Sequence, residues 1–179
     1  MNERDAEGRR LFLLRHATTG PAREMGDDAD LARVLTSSGE AEASRIAAHL
    51  SRMTDLSTLE ILASPARRTC QTAERVADVL AADGPRPAIT TDPALYNADC
   101  ETILDVIRET GADASLMVVG HNPGLYHLVL KLAGDAIDAP EFASLTQGYP
   151  PASLAIFDIT GDWGDLRPGR ADLTGLLRP

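Results

Sequence analysis

The stretch Leu116-Met117-Val118-Val119-Gly120-His121-Asn122-Pro123-Gly124 carries the strongest strand signal in the chain. Four apolar residues bounded by turn formers suit a buried strand. Asn122-Pro123 then reads as a helix cap followed by a first-turn proline. Leu125, Leu128, Val129 and Leu132 follow at helical spacing, and Gly134 stops the run. The order is strand, short polar turn, amphipathic helix.

The same order is found upstream. Residues 11–14 are all apolar and stop at Arg15-His16. An acidic, irregular loop is read over 21–33. A helix then starts near Thr36 or Ser37, with Ser37 and Glu40 at capping-box spacing and Ala43, Ile46, Ala47, Leu50 and Met53 on its inner stripe. Leu59–Ala63 reads as a strand and Ser64-Pro65 as the next helix start, with Ala66, Cys70, Ala73, Ala77 and Leu80 facing inward. Ala88–Thr91 reads as a short strand, and Asp99 as the cap of a helix that turns Ile103, Leu104 and Ile107 to the core. Residues 139–145 suggest a short helix, 153–159 a strand, and Ala171–Leu177 an edge strand. Residues 1–10 are polar and are expected to fray.

Strands alternating with helices predict an α/β fold with a mostly parallel central sheet and helices on both faces. The 179 residues suit a single domain over the whole chain. Hydrophobic content of 44% and charged content of 25% exclude a disordered or fibrous chain. No apolar run is long enough to span a bilayer, and residues 1–5 open no signal peptide. Two cysteines, Cys70 and Cys100, make no disulfide framework, so a reducing cytoplasm is the expected compartment. A formal charge of −10 argues against nucleic acid and anionic membranes as partners.

Ligands of parallel sheets bind beyond the carboxyl ends of the strands. Three such ends carry Arg15-His16-Ala17-Thr18-Thr19-Gly20, Ser64-Pro65-Ala66-Arg67-Arg68-Thr69, and Gly120-His121-Asn122-Pro123-Gly124. A parallel sheet opens all three on one edge. Guanidiniums offer forked donors that match phosphate oxygens, and helix starts at Ser64 and Asn122 add backbone donors. A histidine among these cations is favoured in its neutral form. It can then attack phosphorus while the cations hold the equatorial oxygens. Singly, each residue is an ordinary cap or polar strand end, and it is their joint occurrence that points to phosphoryl transfer. No Walker A, Gly-x-Gly-x-x-Gly or Gly-x-Ser-x-Gly segment supports a nucleotide-dependent kinase, a Rossmann oxidoreductase or a serine hydrolase. A zinc site from His16 and His121 lacks a third ligand at a recognisable spacing. No metal and no cofactor are expected. Asp27-Asp28-x-Asp30 lacks the rest of a calcium loop and reads as solvated.

Leu13-Leu14-Arg15-His16, Ser64-Pro65-x-x-Arg68-Thr69-x-x-Thr72 and Val119-Gly120-His121-Asn122 resemble the three signatures of the histidine phosphatase superfamily, which includes cofactor-dependent phosphoglycerate mutases. Leu35-Thr36, Ala94-Leu95-Tyr96 and Gly120-His121-Asn122-Pro123-Gly124 look like its small bacterial branch, the SixA phosphohistidine phosphatases. The resemblance covers roughly residues 11–160. It implies a three-layer α/β/α sandwich of the phosphoglycerate-mutase-like type. It also implies His16 as the phosphorylated nucleophile, Arg15 and Arg68 on the phosphoryl oxygens, and His121 donating to the same oxygens. Arg68 fits the motif; Arg67 points about 100° away on a helix. Thr18, Thr19 and Asn122 are expected as secondary substrate contacts. Larger relatives use a carboxylic acid after the third strand, where this chain has Asn97 and, as a possible acid, Glu101. A missing acid favours labile phosphoramidates over phosphate monoesters. No sizeable insertion after the second helix supplies a lid, so an open pocket and a phosphorylated protein partner are expected. The alternatives are a small phosphorylated metabolite as substrate and a non-catalytic phosphate-binding module.

Overall fold

Strand β4 (Ser115–Gly120) is buried along its whole length. It lies inside a six-stranded sheet, between β1 (Arg9–Arg15) and β2 (Leu59–Ala63), in a computed structural model that describes residues 8–21, 26–52, 56–112 and 115–179. Both flanking pairings are parallel, with Arg15 opposite Gly120 and Ala63 opposite Val119. β3 (Ala88–Thr91) extends the parallel part beyond β2, whereas β5 (Leu154–Ile159) runs antiparallel to β1 and β6 (Ala171–Leu177) antiparallel to β5. The fold is therefore α/β with a mostly parallel sheet, as the alternating elements predict.

Alternation along the strands divides the core in two. Leu11 and Leu13 of β1 and Leu116 and Val118 of β4 pack with α4 (Cys100–Arg108) and α5 (Gly124–Ala133). Phe12, Leu14, Met117 and Val119 face α2 (Ser37–Leu50) and α3 (Arg67–Leu80). A strand covered on both faces has no polar side to show, which is why β4 reads as a continuous apolar run.

Several boundaries move. β1 starts at Arg9, so Arg9 and Arg10 are strand residues rather than frayed ones; Arg10 pairs with Asp158 of β5 at 3.1 Å and Arg9 with Asp162 at 2.8 Å. Residues 1–7, 22–25 and Met53 of the α2 stripe lie outside the described residues. The cap of α2 is Thr36, whose hydroxyl accepts from Gly39 N at 3.1 Å, and not Ser37. α3 begins at Arg67 after Ala66, because Ser64 turns its hydroxyl toward His121. Asn122 does not cap α5 either; its side-chain amide donates to the Tyr149 carbonyl at 2.8 Å. The 139–145 helix is a 3-10 segment, Pro140–Gln147. Part of the acidic 21–33 segment is helical: α1 (Asp27–Leu31) is a five-residue helix with no buried residue.

Two helices depend on glycine for close approach. A Cβ on Gly39 would sit 2.1 Å from the Thr18 carbonyl oxygen, and one on Gly124 would sit 1.9 Å from that of Ala98. In each case the obstacle is backbone, which cannot rotate away. Gly39→Ala should lower unfolding stability by about 1–3 kcal/mol through overpacking. Urea denaturation would measure this, and a midpoint equal to that of the unmodified chain would contradict it.

Candidate active site

The register of β1, β2 and β4 delivers His16, Ser64 and His121 to one edge of the sheet. Backbone bonds fasten the loops there: His16 N donates to Gly120 O at 3.1 Å and Ser64 N to Val119 O at 3.1 Å. The rings of His16 and His121 lie 5.5 Å apart between centroids. Arg68, 3% exposed, reaches in from the first turn of α3 and donates from Nη2 to His121 Nδ1 at 3.2 Å. Arg67 is exposed. Arg15 is half-buried and donates from Nη1 to the Tyr149 carbonyl at 2.8 Å.

Partners fix the tautomers of both rings. A carbonyl can only accept, so His16 Nδ1, 2.9 Å from Ala17 O, carries the proton. Its Nε2 keeps the lone pair. A guanidinium can only donate, so His121 Nδ1 is the acceptor and its Nε2–H donates to Ser64 Oγ at 2.7 Å. Burial, aided by the Arg68, Arg15 and Arg33 charges and opposed by the Ala17 bond, lowers the His16 pKa to about 4. Burial and then Arg68 lower that of His121 to about 3. Both imidazoles are neutral near pH 7.

The profile of the histidine phosphatase superfamily (branch 1) matches residues 11–102. The chain belongs to this superfamily. An uncharacterised protein of Mycobacterium tuberculosis is 31% identical over 112 residues, which cover 62% of this chain and 71% of that relative. The crystal structure of a candidate phosphohistidine phosphatase SixA from Agrobacterium tumefaciens is 30% identical, covering 96% of this chain and 99% of that one, with a TM-score of 0.75. A second candidate SixA, from Nakamurella, is 25% identical, covering 97% and 98%, with a TM-score of 0.78.

In this member of the superfamily the two threonines after His16 have structural partners. Thr18 is held by the buried carboxylate of Glu42, which accepts from both its N–H and its hydroxyl at 3.0 Å. Thr19 Oγ1 accepts from Arg33 Nη2 at 2.6 Å. Asn122 stands beside Arg15 through their shared acceptor, Tyr149 O. Arg15 Nε, Arg68 Nε and Asn122 Oδ1 are buried without a hydrogen-bond partner. Both guanidiniums also act on the His16 ring, opposing its protonation. Among the described residues, no cluster of three His, Cys, Asp or Glu side chains could hold a metal ion.

Glu101 does not join this cluster. Its carboxylate is exposed, paired with Lys131, and held ionised by that pairing. Its placement on the outward side of α4 does not bring this possible acid to the site. The acidic 27–30 stretch is also misread as merely solvated. Asp30 Oδ2 lies 2.9 Å from Arg68 Nη2, and Arg68 Nη1 donates to Asp30 O at 2.6 Å. Tyr96, its ring edge-on to His121, donates its hydroxyl to the same Oδ2 at 2.9 Å. These contacts tie α1, which precedes α2, to the Arg68 side of the site. Glu42 had a sequence signal: it sits at helical spacing with Gly39, Ala43 and Ile46, an acid inside an otherwise apolar stripe. Tyr149 had none, since only the chain return into β5 brings its carbonyl here.

The depressed histidines make stability depend on pH. Below pH 6.5 the unfolded chain binds protons that the native rings refuse, so stability is full above that value and falls as acidity increases toward about 4. Each ring contributes a slope of at most about 1.4 kcal/mol per pH unit. Urea denaturation at a series of pH values should show the loss between pH 6.5 and 4, and His121→Gln should flatten it. A profile level across that range would contradict the buried neutral rings.

Proposed function

We propose that the protein is a phosphatase that passes the phosphoryl group through a covalent phosphohistidine on His16, and that its substrate is phosphohistidine on a protein partner. The observation that carries this reading is the neutral His16 ring, with Nδ1–H committed to Ala17 O and the Nε2 lone pair free among Arg15, Arg68 and His121. Nε2 attacks phosphorus in line, and a P–N bond forms as the substrate P–N bond breaks. The substrate imidazole, protonated on its distal nitrogen, leaves as a neutral ring. Arg15 and Arg68 neutralise the equatorial oxygens in the transition state. Water then attacks the phosphoenzyme, the His16 P–N bond breaks, and inorganic phosphate departs with the proton balance of that water.

The carboxyl groups near the site support a phosphoramidate substrate. Donors to Asp30 outweigh its desolvation and hold it ionised, with a pKa of about 2, and Glu101 is ionised against Lys131. Neither offers a proton to an alkoxide, and a protonated phosphohistidine needs none. The candidate SixA neighbours, similar along nearly their whole length, support the same substrate class.

Wild-type protein quenched during turnover should carry acid-labile phosphate, and His16→Ala should carry none. Equal labelling of both would overturn the role of His16. In a substrate panel, phosphohistidine peptides should be hydrolysed faster than alkyl phosphates, and the reverse order would favour a small-molecule phosphomonoesterase. EDTA should leave turnover intact; loss restored by zinc would instead make the two histidines metal ligands.

A further inference from the structure

The arginine expected to receive the phosphoryl group already holds an anion. Arg68 gives Nη2 to the Asp30 carboxylate and Nη1 to the Asp30 carbonyl. Asp30 Oδ1 accepts from Arg33 Nη1 at 3.1 Å, and Tyr96 completes the set at Oδ2. Asp30 thus occupies both Nη groups, with one carboxylate oxygen and its own carbonyl, where a phosphoryl group would offer two of its oxygens.

The element that carries Asp30 has few other attachments. α1 buries none of its five residues and has no side-chain cap; Gly26 precedes it at φ 114°. Beyond Asp30, its neighbour Arg33 bonds to Thr19 Oγ1 and Gly20 O. Apolar burial therefore does not hold α1 down; polar contacts centred on Asp30 do. Two anions on one buried guanidinium repel each other at a distance where little water screens them.

We propose that Asp30 is a tethered competitor of the phosphoryl group for Arg68, so that it sets the anion affinity of the pocket and gives up the guanidinium when substrate binds. This rests on Arg68 as a phosphoryl-binding group. The contrary role is that of a positioning residue, which would keep its bonds to Nη1 and Nη2 while the oxyanion takes the unpartnered Nε. The two roles predict opposite signs. A competitor weakens anion binding, and a positioner strengthens it.

Inorganic phosphate titrated calorimetrically at constant ionic strength is the probe. Asp30→Asn keeps the side-chain shape and removes the charge. It should bind phosphate roughly tenfold more tightly than wild type, the scale of one charge-assisted hydrogen bond, and its KM for a phosphohistidine peptide should fall. Unchanged or weaker phosphate binding overturns the proposal. Hydrogen exchange of residues 26–33 in the wild-type protein gives a test that needs no variant. Phosphate should speed exchange there, whereas slower or unchanged exchange overturns the proposal. Arg68→Gln separates the two levels. If wild type binds phosphate, Arg68→Gln loses it and Asp30→Asn is unaltered, the competitor role falls and the functional reading stands. If neither wild type nor Asp30→Asn binds phosphate, both fall.

Discussion

The parallel pairing of β4 with β1 on one side and β2 on the other is the constraint from which the site follows. Parallel strands end together, so the residues after Arg15, Ala63 and Gly120 must share one edge. Two hydrogen bonds, His16 N to Gly120 O and Ser64 N to Val119 O, carry that pairing one residue past the strands and into the site loops. The sheet also fixes the chemistry's surroundings. β4 is buried on both faces, so residues at its end emerge into a desolvated corner, and both histidines lose their affinity for protons there. The convergence of the site residues and their local electrostatics are consequences of one arrangement.

Charge has to be read at two scales. A formal charge of −10 describes the chain as a whole. Within it, Arg15, Arg33 and Arg68 surround His16 closely enough to oppose its protonation. Asp30 makes this corner more nearly balanced than a list of arginines implies, because it is ionised and in contact with two of them. At the site, the Nε groups of Arg15 and Arg68 are buried without a hydrogen-bond partner, while both Nη groups of Arg68 are engaged.

The loops near the site are held by acids from opposite directions. Glu42, inside the stripe of α2, fixes Thr18 from beneath. Asp30, on a helix with no buried residue, reaches Arg68 from outside. One acid is built into the core packing, and the other rests on polar contacts alone.

The sequence by itself determined the alternation of strands and helices, the three strand ends and the His16, Arg68, His121 set, because these depend on periodicity and on residues adjacent to the strands that position them. Even the distinction between Arg67 and Arg68 was legible, since one helical step separates a solvent-facing side chain from a buried one. Helix starts were less so: Ser64 and Asn122 look like caps, but their side chains bond to His121 and Tyr149 across the site, and a tertiary partner outcompetes a local one. Asp30, Tyr96 and Tyr149 became part of the site only through the tertiary structure. Each contacts a group 38 or more positions away in the chain, and no local pattern encodes a contact that exists only when the sheet has closed.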